Sequence, residues 1–334
     1  MAAHRGRTTT MNHTPDGVAP NARLRAAQVT LGYDGRDIVR ELDVRIPDGS
    51  FTVIVGANAC GKSTLLRALA RLLKPRGGSV LLDGRDIHSH RTKDVARTIG
   101  LLPQTSIAPD GITVADLVAR GRHPYQSAFR QWSRDDEAAV AEAMEATGIT
   151  ELSGRLVDEL SGGQRQRVWV AMALAQQTGI LLLDEPTTFL DIAHQYELME
   201  LFRRLNLRHE RTVVAVLHDV NQAARYATNM IAMRDGRVVA QGPPREIVTS
   251  RLVHEVFGLP AHVLTDPIAG TPLIVPSGAP GSAFAAESSP SSPHAADDAV
   301  GAREHPVDPI DEDPQGVELL GATVSTGAQH DPTR

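Results

Sequence analysis

One cysteine in 334 residues leaves no partner for an internal disulfide and no basis for a multi-cysteine metal site, and it suits a reducing compartment. Long apolar runs are missing as well. No stretch approaches the about 20 residues that a membrane-crossing helix needs, and Arg5 and Arg7 have no hydrophobic segment behind them. These absences together predict a cytosolic chain that is not secreted. No internal repeat is visible. Basic excess is lacking too: ten acidic and two basic side chains between Ser277 and Arg334 more than account for the net charge of −6. The remainder is close to neutral, which gives no electrostatic reason to expect a nucleic-acid partner. That acidic stretch is rich in Ser, Pro, Ala and Gly and nearly free of aromatics. Such a composition buries too little apolar surface to offset the entropy of ordering. The expected organisation is a disordered extension over 1–22, a folded domain over 23–275 and a disordered acidic tail over 276–334.

What is present centres on Gly56-Ala57-Asn58-Ala59-Cys60-Gly61-Lys62-Ser63-Thr64. It follows the apolar run Phe51 to Val55 and opens a helix with Leu65, Leu66, Leu69, Leu72 and Leu73 on one face and Arg67 and Arg71 on the other. Strand, glycine-rich loop and helix in that order make a Walker A phosphate loop. Glycines let successive N–H groups converge on phosphate oxygens, and the helix start adds its positive dipole end. Lys62 is placed to reach the β- and γ-phosphates, and the Ser63 hydroxyl to sit on Mg²⁺. Cys60 reads as a small space-filling residue within this cradle, where Lys62 and the helix end would favour its thiolate.

Upstream, Val29, Leu31 and Tyr33 alternate, Asp34-Gly35 turns the chain, and Leu42, Val44 and Ile46 alternate again: an antiparallel entry. Tyr33 at the strand end is suited to stacking on a purine. Strands are expected near Ser79 to Leu82 and Thr98 to Leu102, the second leading into Gln104. Helical periodicity then takes over, with helices over Thr113 to Ala119 and Arg134 to Thr147 flanking a basic, aromatic loop, so a helical insertion is expected over about 105–160.

Leu160-Ser161-Gly162-Gly163-Gln164 opens a further helix and forms a second anion-binding helix start, far in sequence from the first. Ile180 to Leu183 is a short buried strand ending in Asp184-Glu185, so two carboxylates emerge where α/β sites form. Asp184 suits Mg²⁺ coordination and Glu185 a general base. A helix over Ile192 to Leu207 is expected to bury Ile192, Tyr196, Met199, Phe202 and Leu205. Next come a strand over Thr212 to Leu217 ending at His218, a hairpin about Asp235-Gly236, and short helices to Gly258.

This set resembles the nucleotide-binding subunit of ABC transporters over roughly Leu24 to Leu259. Residue by residue, the resemblance identifies an A-loop aromatic at Tyr33, Walker A from Gly56 to Thr64, a Q-loop at Gln104, the signature Leu160 to Gln164, Walker B from Ile180 to Asp184 with Glu185, a D-loop ending at Asp191, and a switch at His218. Other P-loop families lack the Leu-Ser-Gly-Gly-Gln element. The implied fold is α/β, of the P-loop ABC type, with a mixed-sheet core, an antiparallel β subdomain and an inserted helical subdomain.

The resemblance also implies ATP and Mg²⁺ as ligands and a head-to-tail homodimer in which ATP on one Walker A is closed by the other copy's signature. Glu185 would polarise the attacking water, His218 would contact the γ-phosphate, and Gln104 would couple Mg²⁺ and water to an integral membrane permease. An extracytoplasmic binding protein would act through that permease, and the chain would sit on the cytoplasmic face of the membrane. Ala57 and Ala59 depart from the commonest family form, proline and glycine; if position 59 requires positive φ, alanine there costs about 1 kcal/mol.

Arg120 to Gln126, Arg130 to Ser133, Thr187 to Gln195 and Leu217 to Ala223 are similar to the ATPases of iron(III)-siderophore importers. Haem, cobalamin and other metal-chelate importers share the architecture, as do exporters. Non-transport ABC ATPases fit less well, because the chain has one cassette and Lys62 and Ser161 lie only 99 residues apart.

Overall fold

A computed structural model describes residues 21–104, 107–126, 132–188 and 190–278. The chain enters through an antiparallel pair, β1 (Leu24–Tyr33) and β2 (Arg36–Ile46), joined at Asp34-Gly35. Next come β3 (Phe51–Gly56), α1 (Lys62–Leu69), β4 (Gly77–Leu82), β5 (Arg85–Asp86), α2 (Thr92–Thr98) and β6 (Ile99–Leu102). Helices α3 (Val114–Ala119), α4 (Arg134–Ala146) and α5 (Gly162–Ala175) follow. The second half alternates: β7 (Ile180–Asp184), α6 (Ile192–His209), β8 (Thr212–Val216), α7 (Val220–Tyr226), β9 (Asn229–Arg234) and β10 (Arg237–Gly242). Two short helices, α8 (Pro244–Ile247) and α9 (Ser250–Phe257), lead to the hairpin β11 (Ala261–Thr265) and β12 (Pro272–Pro276).

The central sheet has the order β10-β9-β3-β8-β7-β6, with β9, β3, β8, β7 and β6 parallel and β10 the antiparallel edge. Its inner strands β3, β7 and β8 are buried at every position, as parallel strands covered on both faces must be. Successive side chains serve opposite clusters, and side chains two apart serve the same one. Val53, Leu181, Leu183, Val213 and Ala215 face the cluster that holds α5, α6 and α7, while Ile54, Ile180, Leu182, Val214 and Val216 face the cluster under α1 and the antiparallel sheet β2-β1-β4-β5. The mixed-sheet core, antiparallel β subdomain and helical insertion are all as expected.

Between the two halves, α3 and α4 pack on α5 through Leu117, Val118, Val140, Ala143, Met144, Val168 and Trp169. The first part of the basic, aromatic segment is a 3₁₀ turn over Arg120–Tyr125, and of its two arginines Arg122 is structural. Arg122, 4% exposed, pairs with Asp136 at 2.8 Å, donates to the Ala175 carbonyl at the end of α5, and lies 4.0 Å from the Tyr125 ring centroid. Burial works against ionisation of Asp136, but its bonds from Arg122 and Ser133 prevail and hold the carboxyl below its usual range.

Three expectations need correction. Helix α1 stops at Leu69; the chain turns at Arg71 (φ 64), so Leu72 is 66% exposed instead of extending the apolar stripe. In α6 the buried face is Leu198, Met199, Leu201 and Phe202, whereas Ile192 and Tyr196, two turns and one turn upstream of Met199, are exposed because, among the described residues, little packs over the start of that helix beyond the Arg225 guanidinium, 5.9 Å from the Tyr196 ring centroid. The β11–β12 hairpin, absent from the sequence reading, closes the described domain.

Candidate active site

The five parallel strands end on one rim, and four of them carry a candidate residue at or just beyond the C-terminal end: the Gly56 loop after β3, His218 after β8, Glu185 after β7 and Gln104 after β6. The register sets them level, since Ile54 pairs with Val216, Val216 with Asp184, and Leu183 with Leu102. Open α/β sheets place their ligand sites at such an edge. A cleft of about 700 Å³ lies over it, lined by Asn58, Ala59, Gly61, Lys62, Ser63, Thr64, Gln104, Glu185 and His218.

The loop is shaped by backbone constraints. Gly56 is irreplaceable on steric grounds, because a Cβ there would meet the Met233 carbonyl oxygen at 2.2 Å. Ala59 does take a positive φ, 60°, so the substitution of alanine for the usual glycine carries the strain anticipated for it. Gly61 (φ 103) caps α1, so Lys62, Ser63 and Thr64 form its first turn with their N–H groups open to the cleft. The ammonium of Lys62, 5% exposed, donates to the carbonyl oxygens of Gly56 (3.0 Å) and Ala57 (2.9 Å).

Across the loop, the Ser63 hydroxyl donates to Asp184 at 2.8 Å. Burial pushes the Asp184 carboxyl above its ordinary range, against the opposing effect of that hydrogen bond. Of the two carboxylates at the end of β7, Glu185 is the more heavily engaged. His218 Nε2 lies 2.6 Å from its Oε1, while the Gln104 amide donates to Oε2 at 2.7 Å and the Thr188 hydroxyl at 3.4 Å. Its backbone is in the left-handed region (φ 54), a conformation that costs a non-glycine residue and that the surrounding structure enforces.

Cys60 fills space as expected, but its thiol is not drawn toward thiolate. Its thiol is 5% exposed, packs beneath Gly56 in the apolar cluster under α1, and is pushed up in pKa by burial, which outweighs Lys62. The sulfur thus faces away from the cleft as a protonated filler.

Tyr33, 37% exposed at the end of β1, accepts a bond from Arg67 on α1 (3.3 Å), which orients the phenol. Arg67 escaped the sequence reading, as did Arg36, Asp37, Ile38, Asp235 and Gly236 on the cleft wall and Thr188 beside Glu185. Hairpin turns bring the wall residues in, and no motif marks them.

Ser161, Gly162, Gly163 and Gln164 do not line the cleft. They begin α5 as a capping box, Ser161 Oγ accepting from Gln164 N (3.3 Å) and Gln164 Oε1 from Ser161 N (3.1 Å). Asp191 is likewise elsewhere, capping α6 and paired with His194 Nδ1 at 2.7 Å. The Phe189 position of the D-loop lies outside the described residues, as do Arg130 and Gln131 and, of the segments read as disordered over 1–22 and 276–334, residues 1–20 and 279–334; Pro276 ends β12.

Residues 39–188 match the family model described as ABC transporter. The chain is 57% identical over 257 residues to the ferric enterobactin transport ATP-binding protein of Escherichia coli, covering 77% of this chain and 95% of that one. It is 53% identical to a siderophore transport system ATP-binding protein assigned as probable in Bacillus subtilis, covering 75% and 91%. Among solved structures, the dimeric bacterial ABC transporter cassette MJ0796 aligns with a TM-score of 0.60 at 27% identity, covering 66% of this chain and 98% of that one.

Proposed function

This chain belongs to the ATP-binding proteins of ABC transporters and is an ATP hydrolase, and on that premise we propose that it energises import of an iron(III)-siderophore complex through a separate integral membrane permease. The observation that carries the hydrolytic half is the convergence of Gln104 and His218 on the Glu185 carboxylate at the mouth of the phosphate loop. The siderophore half rests on the similarity to siderophore transport ATP-binding proteins along nearly their whole length. Among the described residues no helix is long and apolar enough to cross a membrane, so the translocation path belongs to the partner.

When ATP enters, Lys62 exchanges the Gly56 and Ala57 carbonyls for the β- and γ-phosphates, and the N–H groups of the loop and of the first turn of α1 bind the remaining oxygens. Tyr33 stacks on the base. Glu185 orients a water and accepts its proton, with Gln104 and His218 fixing the carboxylate and His218 also positioned to meet the γ-phosphate. The Ser63 hydroxyl, the Asp184 carboxylate and the Gln104 amide oxygen are hard oxygen donors of the kind Mg²⁺ takes, and a cation would offset the burial of Asp184. Bound Mg²⁺ supplies charge neutralisation on the phosphates.

The exposed start of α5, away from the cleft, serves a second copy of the chain. Ser161 to Gln164 of one copy close over the nucleotide on the other, an arrangement that the dimeric cassette relative supports, and Asp191 lies at the same contact. The test is co-purification with the membrane partner and measurement of ATPase activity with loaded binding proteins. Stimulation by a ferric-siderophore complex is expected. Stimulation by cobalamin or haem and not by siderophores would overturn the substrate assignment.

A further inference from the structure

The β11–β12 hairpin touches no part of the cleft, yet it grips the helix that follows His218. Asn221, in the first turn of α7, makes two bonds to one residue of β12: its amide donates to the Ile274 carbonyl (3.1 Å), and its carbonyl oxygen accepts from Ile274 N (2.7 Å). Arg225, one turn on, pairs with Asp266 at 3.3 Å. Asp266 in turn shapes the hairpin bend, its other oxygen accepting from Ile268 N and Ala269 N. Ile274 is 4% exposed and belongs to the main core cluster, so the grip is anchored.

The opposite side of α7 is fixed as well. Ala223 and Ala224 are fully buried, and Tyr226 is buried with its phenol pushed up to about 12 by burial and by Glu200. Upstream, Leu217 N donates to the Ile54 carbonyl, tying the end of β8 into the sheet. His218 is thus set between a fixed strand and a clamped helix whose cap is the next residue, Asp219. The His218 ring itself is half exposed and is held by Glu185 alone among the described contacts.

We infer that Asn221 is a positioning residue for hydrolysis: through its paired bonds to Ile274 the C-terminal hairpin fixes α7 and with it the reach of His218 toward Glu185 and the γ-phosphate. The inference rests on the role of His218 given above. ATP binding uses the loop after β3 and is independent of this grip, so the effect falls on turnover.

The experiment measures steady-state ATP hydrolysis by the full-length chain with Mg-ATP for four proteins: wild type, Asn221→Ala, His218→Ala and the double variant. Asn221→Ala is expected to lower kcat about tenfold, the scale of a small misplacement in an active site, with KM for ATP within about twofold of wild type. In the His218→Ala background the same change should cost nothing further, because the residue it positions is gone. Asp266→Asn, which keeps the turn-capping oxygen but removes the charge facing Arg225, should give a smaller loss of kcat and covers the case in which Asn221→Ala does not fold. An unchanged kcat with a lowered Tm, or equal fractional losses in both backgrounds, would reduce the hairpin to a structural clip. A normal kcat for His218→Ala itself would instead overturn the role of His218.

Discussion

Two helix starts in this molecule are built to meet anions, and they differ in what surrounds them. The start of α1 faces Glu185, Gln104 and His218 across a cleft, all delivered by neighbouring strands of one sheet. The start of α5 has a complete capping box, two glycines and no opposing chemistry from its own chain among the described residues. On the proposed reading the first is the catalytic half-site and the second the lid for a partner's cleft, so that the unit of function we propose is two chains, each contributing a cleft and a lid.

The comparison is sharpened most by removing chemistry from the cleft and leaving its shape. Glu185→Gln retains hydrogen bonding but takes no proton, and it should lower turnover by about 10²- to 10⁴-fold while ATP still binds. Lys62→Ala should do the reverse and weaken binding, because a charge-assisted phosphate contact is lost. Filter binding beside a phosphate-release assay separates the two. Near wild-type hydrolysis by Glu185→Gln would leave His218 as the better candidate for the base.

Next in size is the far end of the lid helix. Arg122→Ala leaves Asp136 buried and unpaired and frees the end of α5 at Ala175; a loss of about 3–5 kcal/mol is expected in denaturant unfolding. The intact pair also predicts a pH dependence. Because the folded-state pKa of Asp136 lies below its unfolded value, its contribution is present above the unfolded carboxylate range and is lost as pH falls through that range toward the folded value. Acid unfolding of Arg122→Ala should lack that component.

The smallest effect concerns the loop itself. Ala59→Gly relieves a positive φ and should stabilise the nucleotide-free chain by up to about 1 kcal/mol with the cleft chemistry intact. A lowered Tm would mean that the loop is unstrained at this residue.

Most of the cleft was legible in the sequence because its parts are local: each motif lies at one strand end or helix start, and alternation or a glycine marks it. Parallel strands then bring the ends together without further instruction. What escaped depends on contacts between distant segments. Burial of Arg122 needs Asp136 and the end of α5, and burial of the Cys60 thiol needs the apolar cluster that strands and α1 assemble beneath the loop. The exposure of Ile192 and Tyr196 reflects how little of the described chain packs over the start of α6, which periodicity within one helix does not report. The β11–β12 hairpin was missed because its strands are only five residues each and each buries a single residue, Ala261 or Ile274, too few to make an alternating pattern.

Size-exclusion chromatography of Glu185→Gln with and without Mg-ATP, repeated with Ser161→Arg added, tests the two-chain account most directly. The single variant should run as a monomer without nucleotide and as a dimer with it. The arginine should abolish the dimer while leaving ATP bound to each monomer. A dimer that persists with Ser161→Arg, or a single variant that stays monomeric with ATP bound, would contradict the claim that the start of α5 closes a partner's cleft.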